Sequence, residues 1–197
     1  LTPLKNKVDV SISCWEWKMG ESKAGKFSGA RCKISKWIRI DSRSQPMQAK
    51  SAANYSNAAL ARVEALKAGY DEAIMLNNKG HVAEGSAENI FVVKNGKITT
   101  PPLSADILNG ITRDSAIKMI KSNGKKISEK NITVKNLLSA DEIFMTGTAA
   151  EVKSVTRVNR TKIGSGKIGP ITRELQSSFM DIVMGKNKKF LSWLKFL

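Results

Sequence analysis

Ala49-Lys50-Ser51-Ala52-Ala53-Asn54-Tyr55 opens the stretch that decides how this chain folds. A helix is predicted over 54–67, because Tyr55, Ala59, Val63 and Leu66 recur at helical spacing. Gly69 stands where a helix-ending glycine belongs. Ala73-Ile74-Met75-Leu76 follows at once and reads as a buried strand. A helix leading straight into a buried strand fits a sheet covered by helices. Taken alone, Lys50 reads as a solvated charge ahead of an Ala-rich helix.

Working outward, the same alternation continues. Asn77-Asn78-Lys79-Gly80 reads as a hairpin turn and 90–93 as a second buried strand. Asn95-Gly96 is a strong hairpin signal before the strand 97–100, and Pro101-Pro102 ends the pairing. A helix is predicted over about 112–122, stopping at Asn123-Gly124. Beyond it lie an expected strand within 126–133, a short helix over 134–139 and a strand at 143–145 ending at Gly147. Residues 151–158 alternate, and 159–166 read as turn and loop. Gly169-Pro170 opens a last helix whose apolar face is Ile171, Leu175, Phe179, Ile182 and Val183. The apolar tail, with Trp193, is expected to dock on the core. Upstream, 8–13 alternates like a strand that Trp15-Glu16-Trp17 continues, and 20–29 is a polar loop. Residues 31–40 alternate through Cys32, Ile34 and Trp37, and a loop over 41–48 delivers the chain to Lys50. The fold class is α/β, bordering on α+β: a mixed sheet with peripheral helices.

With 197 residues the chain has room for one sizeable core and at most two small domains. No apolar run approaches the ~20 residues of a membrane helix, no N-terminal signal peptide is visible, and a first residue of Leu rather than Met implies a fragment or a processed chain. The net charge is +16, which fits an anionic partner. The Lys residues are scattered, however, and only Lys186-Asn187-Lys188-Lys189 is dense, so a nucleic-acid partner is disfavoured. Cys14 and Cys32 form no CxxC pair and imply no metal site, and two free thiols fit a reducing cytoplasm. His81 is the only histidine, so a Ser-His-Asp triad would depend on it entirely; its place after Lys79-Gly80 reads as an exposed loop.

Three further stretches carry possible chemistry. Gly110-Ile111-Thr112 starts a helix, whose free N–H groups make either an ordinary N-cap or a seat for a phosphate. Thr146-Gly147-Thr148-Ala149-Ala150 follows a buried strand and reads as a tight turn or as a small-residue ligand contact at a strand end. Glu84 precedes Gly85, and both it and Glu88 read locally as hairpin surface charges.

The order and spacing of these stretches say more than any one of them. Residues 49–55, Glu84-Gly85-Ser86-Ala87-Glu88-Asn89-Ile90-Phe91, Leu108-Asn109-Gly110-Ile111-Thr112-Arg113-Asp114 and Gly147-Thr148-Ala149-Ala150-Glu151 together resemble the large domain of branched-chain amino-acid aminotransferases. Gly69-Tyr70-Asp71-Glu72-Ala73-Ile74, Pro101-Pro102-Leu103-Ser104, Gly169-Pro170-Ile171-Thr172 and the tail at Trp193-Leu194 share the resemblance. That family is pyridoxal-phosphate dependent and of fold type IV, and the resemblance implies a pseudo-barrel large domain. It implies Lys50 as the lysine that carries the cofactor and as the proton carrier, in surroundings that keep its amine deprotonated. Tyr55 is implied at the ring oxygen, Glu84 at the ring nitrogen, and Leu108, Gly110, Ile111, Thr112 and Thr148 around the phosphate. Thr148 and Ala149 are implied at the substrate carboxylate, and Trp37 near the side-chain pocket. Ser51-Ala52-Ala53 and Ala87 depart from the family's more glycine-rich pattern but keep the site small.

The implied activity is transfer of the amino group of Leu, Ile or Val to 2-oxoglutarate. A homodimer or higher homo-oligomer in the cytoplasm is implied as well. A D-amino-acid aminotransferase or an aminodeoxychorismate lyase would share Lys50 and Glu84, and a basic binding module on the same scaffold is the non-enzyme alternative. Residues 54–55 and 147–151 lean toward the branched-chain type. The expected division is an N-terminal segment, 1–45, that completes the sheet and makes the interdomain connection, and a cofactor-binding large domain over 46–197. The resemblance also implies a small domain ahead of Leu1, which would complete the site.

Overall fold

The computed structural model describes residues 3–16 and 29–195. Among these residues nine strands form a single sheet: β1 (Ala30–Ile34), β2 (Glu72–Leu76), β3 (Val82–Gly85), β4 (Asn89–Lys94), β5 (Lys97–Thr100), β6 (Ile127–Glu129), β7 (Glu142–Gly147), β8 (Glu151–Val158) and β9 (Thr161–Lys162). Their spatial order is β3-β2-β1-β8-β7-β4-β5-β6, with β9 paired to β8. β1 runs parallel to β2 and β8, and β5 parallel to β6. The other pairings are antiparallel, so the expected mixed sheet is present.

The chain itself forces this sheet to curl. β3 and β4 are separated in space by five strand spacings, about 24 Å across a flat sheet. Yet only Ser86, Ala87 and Glu88 join Gly85 to Asn89, a reach of at most about 14 Å. The edge strand must therefore swing back toward β4, and a hydrogen bond from the Gly85 N–H to the Glu88 carbonyl, 2.6 Å, closes the link. Strand alternation then sorts side chains into an inside and an outside. Cys32, Ile74, Val82, Ile90, Val92, Ile143, Met145, Val155 and Val158 form one cluster, drawn from six strands around the curl. Phe91, Val93, Phe144 and Val152 point the other way, with Phe91 and Phe144 stacked at 4.7 Å between centroids.

Among the described residues four α-helices accompany the sheet: α1 (Ala52–Lys67), α2 (Ile111–Ser122), α3 (Val134–Leu138) and α4 (Pro170–Val183). α2 and α4 cover the outer cluster through Ala116, Ile120, Leu175 and Ile182, and Phe190 of the tail docks there as expected. α1 ends in a Schellman motif, with the Tyr70 N–H on the Ala65 carbonyl, the Gly69 N–H on Leu66 and Gly69 at φ +79°. Asn95 and Gly96, both at positive φ, form the tight hairpin between β4 and β5.

Several expectations need correction. Residues 8–13 form no strand: Val8, Val10 and Ile12 are exposed, because alternation makes a strand only where a sheet edge accepts it. Trp17 and the proposed loop up to residue 28 lie outside the described residues. α1 has the right period and the wrong phase. Its buried face is Asn54, Ala58, Ala61 and Ala65, while Leu60, Val63 and Leu66 are about half exposed. Alanine knobs let the helix lie close over Ala73 and Met75 of β2. Val183, assigned to the apolar face of α4, is 43% exposed. The loop 159–166 contains β9, and His81 is half-buried, bridged to Thr133.

α4 gives a test of this packing. The Glu142 carboxylate accepts the N–H groups of Ile171 and Thr172 and the Thr172 hydroxyl, at 3.1, 2.8 and 2.7 Å, and so caps the helix. Gly169 abuts that carboxylate, and a Cβ there would run into it. Its φ of −76° is ordinary, so space alone requires glycine. Gly169→Ala is expected to cost ~1–3 kcal/mol, read as a lower urea midpoint at unchanged slope.

Candidate active site

One cavity of about 320 Å³ gathers residues from four loops at strand and helix ends. The first loop carries Lys50. Asn54, buried in the first turn of α1, donates from Nδ2 to the Ala49 carbonyl at 3.1 Å, and Gln48 Nε2 donates to the Ile107 carbonyl at 3.1 Å. The first bond spans the lysine, and the second ties the residue two before it to the loop ahead of α2. The Lys50 ammonium donates to the Tyr55 hydroxyl at 3.0 Å, five residues on and one turn into α1. Lys50 itself is exposed, on the rim of the cavity, where the sequence reading implied sheltered surroundings.

The second loop is the link between β3 and β4. Glu84 pairs with Met75 of β2 past a register shift that separates it from Val82, so its side chain leaves the inner cluster and shares the face of Met75. It is 5% exposed. Its Oε1 pairs with Arg39 Nη2 at 2.8 Å, and its Oε2 accepts from Asn89 Nδ2 at 3.0 Å and from the Leu108 N–H at 3.2 Å. Burial pushes the Glu84 carboxyl up to about 7, against the pull of the Arg39 guanidinium and the Leu108 N–H. Reading Glu84 as a hairpin surface charge is therefore wrong. Glu88 is no solvated charge either: half-buried and on the cavity wall, it accepts the Ala87 N–H, and burial raises its carboxyl.

The third loop leads into α2. Gly110 occupies the N-cap position with no side chain to cap the first turn, and the turn opens on the cavity. A Cβ on Gly110 would meet the Asn89 amide oxygen, and Asn89 also donates to the Leu108 carbonyl at 2.9 Å. Asn89 thus locks the Glu84 carboxylate and the α2 loop into one unit. The fourth loop brings Thr146, Gly147 and Thr148, and the Thr146 hydroxyl is buried with no partner.

Of the residues singled out from the sequence, Lys50, Tyr55, Glu84, Leu108, Gly110, Ile111, Thr112 and Thr148 share this cavity. Ala149 is exposed beside it, and Trp37, 39% exposed, does not line it. Sequence reasoning passes over Arg39, Asn54 and Asn89 and leaves Glu88 as a surface charge. Asn54 and Asn89 stood inside quoted motifs, but Arg39 gave no signal beyond being a charge between two isoleucines. Among the described residues no group of three His, Cys, Asp or Glu side chains is placed to hold a metal, and no helix is long and apolar enough to cross a membrane.

A curled mixed sheet with an amine, a buried carboxylate and an open helix start on one cavity belongs to a known class. Residues 2–158 match the family model of class IV amino-transferases, and the chain belongs to that family. It is 49% identical over 167 residues to a "Probable branched-chain-amino-acid aminotransferase" of Aquifex aeolicus, covering 84% of this chain and 54% of that protein. It is 42% identical over 187 residues to a branched-chain-amino-acid aminotransferase of Pseudomonas aeruginosa, covering 95% and 61%. Among solved structures, the branched-chain aminotransferase of Thermoproteus uzoniensis superposes with a TM-score of 0.83 at 42% identity, covering 86% of this chain and 56% of that one. The PLP form of the Thermobaculum terrenum enzyme gives 0.84 at 36%, covering 86% and 55%. The chain spans about half to three fifths of the length of these relatives.

Glu84 makes the stability of the unliganded chain depend on pH. Its carboxyl stands at about 7 in the fold against an ordinary 4.5. Between those values the folded chain keeps a proton that the unfolded chain gives up, so stability falls as pH rises through the window. The loss reaches up to about 3 kcal/mol. Urea unfolding across the window should show this slope, and Glu84→Gln should flatten it.

Proposed function

We propose that this chain is the cofactor-binding part of a branched-chain amino-acid aminotransferase, using pyridoxal 5′-phosphate to move the amino group of Leu, Ile or Val to 2-oxoglutarate. The observation that carries this is the single cavity on which Lys50, Tyr55, Glu84 and the start of α2 converge. The names of the relatives support the reaction. A branched-chain amino acid aminotransferase solved with pyridoxamine 5′-phosphate supports the cofactor, at a TM-score of 0.87 and 40% identity. The proposed division of the chain remains 1–45 and 46–197.

The donor set fits that cofactor. An amine suits an aldehyde, a buried carboxylate suits a basic ring nitrogen, and an uncapped helix N-terminus suits a phosphate. Gly110 and Thr112 at the start of α2, with Leu108, Ile111 and Thr148, would hold the phosphate. Glu84 would hold the ring nitrogen protonated, and Tyr55 would meet the ring hydroxyl. When bound, the cofactor supplies an electron sink for the charge left at the substrate Cα. Lys50 Nζ would hold the cofactor and, when free, would move the proton between the substrate Cα and the cofactor carbon. The hydroxyl of Tyr55 accepts from Nζ and would steady it. The backbone of Thr148 and Ala149 would bind the substrate carboxylate. Trp37 is given no role.

The test is to load the chain with pyridoxal 5′-phosphate, reduce with borohydride and map the labelled peptide. The label is expected on Lys50, and Lys50→Ala should lower transamination of leucine by ~10²-fold or more. A label on another lysine overturns the assignment. Faster turnover of D-amino acids than of leucine overturns the substrate class alone.

A further inference from the structure

The ion pair behind the cavity poses a question of its own. Arg39 lies between β1 and α1, its backbone N–H held by the Leu76 carbonyl at 2.8 Å. The side chain is buried and lines the cavity, and Nη2 stands 2.8 Å from Glu84 Oε1. Its Nε and Nη1 are buried without a partner. Burying a guanidinium with two nitrogens unmatched is costly, and a well-packed apolar side chain usually stabilises such a place better. Stability therefore does not explain this residue.

The surroundings of Glu84 do. Its two oxygens receive three donors from three separate segments: Arg39, the Asn89 amide and the Leu108 N–H. A carboxylate only accepts, and so satisfies all three; a protonated carboxyl would turn a hydrogen toward one of them. The charged groups acting on Glu84 are Arg39, of opposite sign, and Glu88, of like sign on the same cavity. Burial and Glu88 favour the proton, and Arg39 opposes both.

We infer that Arg39 is a positioning residue, holding Glu84 as an aimed carboxylate so that the contact to the cofactor ring nitrogen depends on a guanidinium that acts through Glu84. The cofactor half of this inference rests on the proposed function; the linkage between Arg39 and Glu84 does not. Without Arg39 the carboxyl keeps its proton through neutral pH, and a neutral acid cannot hold the ring nitrogen protonated.

The experiment compares wild type, Arg39→Met, Arg39→Lys, Glu84→Gln and the double variant Arg39→Met/Glu84→Gln, all as the full chain. Without cofactor, urea unfolding is followed against pH. Arg39→Met should move the upper end of the pH-dependent window to higher pH by at least about one unit. Arg39→Lys should fall between, and the shift should vanish in the Glu84→Gln background. Coincident profiles for wild type and Arg39→Met overturn the linkage; if Arg39→Met fails to fold, Arg39→Lys decides by the same shift. With pyridoxal 5′-phosphate, absorbance titration should show about tenfold weaker binding for each single variant, and a double variant no weaker than Glu84→Gln within about twofold. Losses that multiply in the double variant show that Arg39 acts independently of Glu84 and overturn the inference. Failure of the wild type to bind pyridoxal 5′-phosphate sinks the proposed function instead, and the cofactor-free profiles then decide the role of Arg39.

Discussion

Everything at the cavity depends on the shortness of the link between β3 and β4. A three-residue connection cannot span five strand spacings, so the sheet must bend until its edge meets its middle. The bend gives the sheet an inside. Apolar residues from six strands fill most of it, and the strand ends leave a cavity where the linker itself forms part of the wall. Glu84 is buried because it sits at the end of the strand that swings over. Gly147 faces the same constraint from the other side, where a Cβ would press against the Ala87 carbonyl and the Glu88 side chain.

Burial of one carboxylate then shapes its neighbours. Glu84 needs donors, and the chain supplies them from the run after β1, the start of β4 and the loop before α2. These bonds also fasten the loops together, with Asn89 spanning from Glu84 to the Leu108 carbonyl. A second buried carboxylate shows the alternative use of the same chemistry. Glu142 spends its oxygens on the N-terminus of α4 and does not line this cavity. Glu72, buried and paired with Arg62, likewise binds its neighbours' N–H groups and lies off the cavity lining. Burial alone therefore does not mark a site; burial on a cavity wall does.

Much of this was legible in the sequence, for reasons that can be named. The strands at 90–93 and 143–145 are short apolar runs bounded by turn residues, and Asn95-Gly96 leaves little freedom in how β4 meets β5. The cavity residues were legible through the joint order of several motifs, each of which alone is a turn or a cap. What was not legible depends on facing partners. The spacing in α1 fits either face of the helix, and only the small profile of β2 selects the alanines over Leu60, Val63 and Leu66. The alternation at 8–13 carries no information about whether a sheet edge is available. Arg39 and Glu88 are invisible because their burial is created by the curl, which depends on strand order and not on local pattern.

The site also divides its residues by how far they are free to move. Glu84 is held by three donors, and Asn89 by bonds to two segments, so the group that would tune a bound ring has one available position. Lys50, Ile111 and Thr148 lie on the exposed side of the cavity. A residue that fixes a protonation state must not move, because its effect falls with distance and with access of water. The strand the curl covers would meet that demand for Glu84, while Lys50 stands apart from it on the loop into α1.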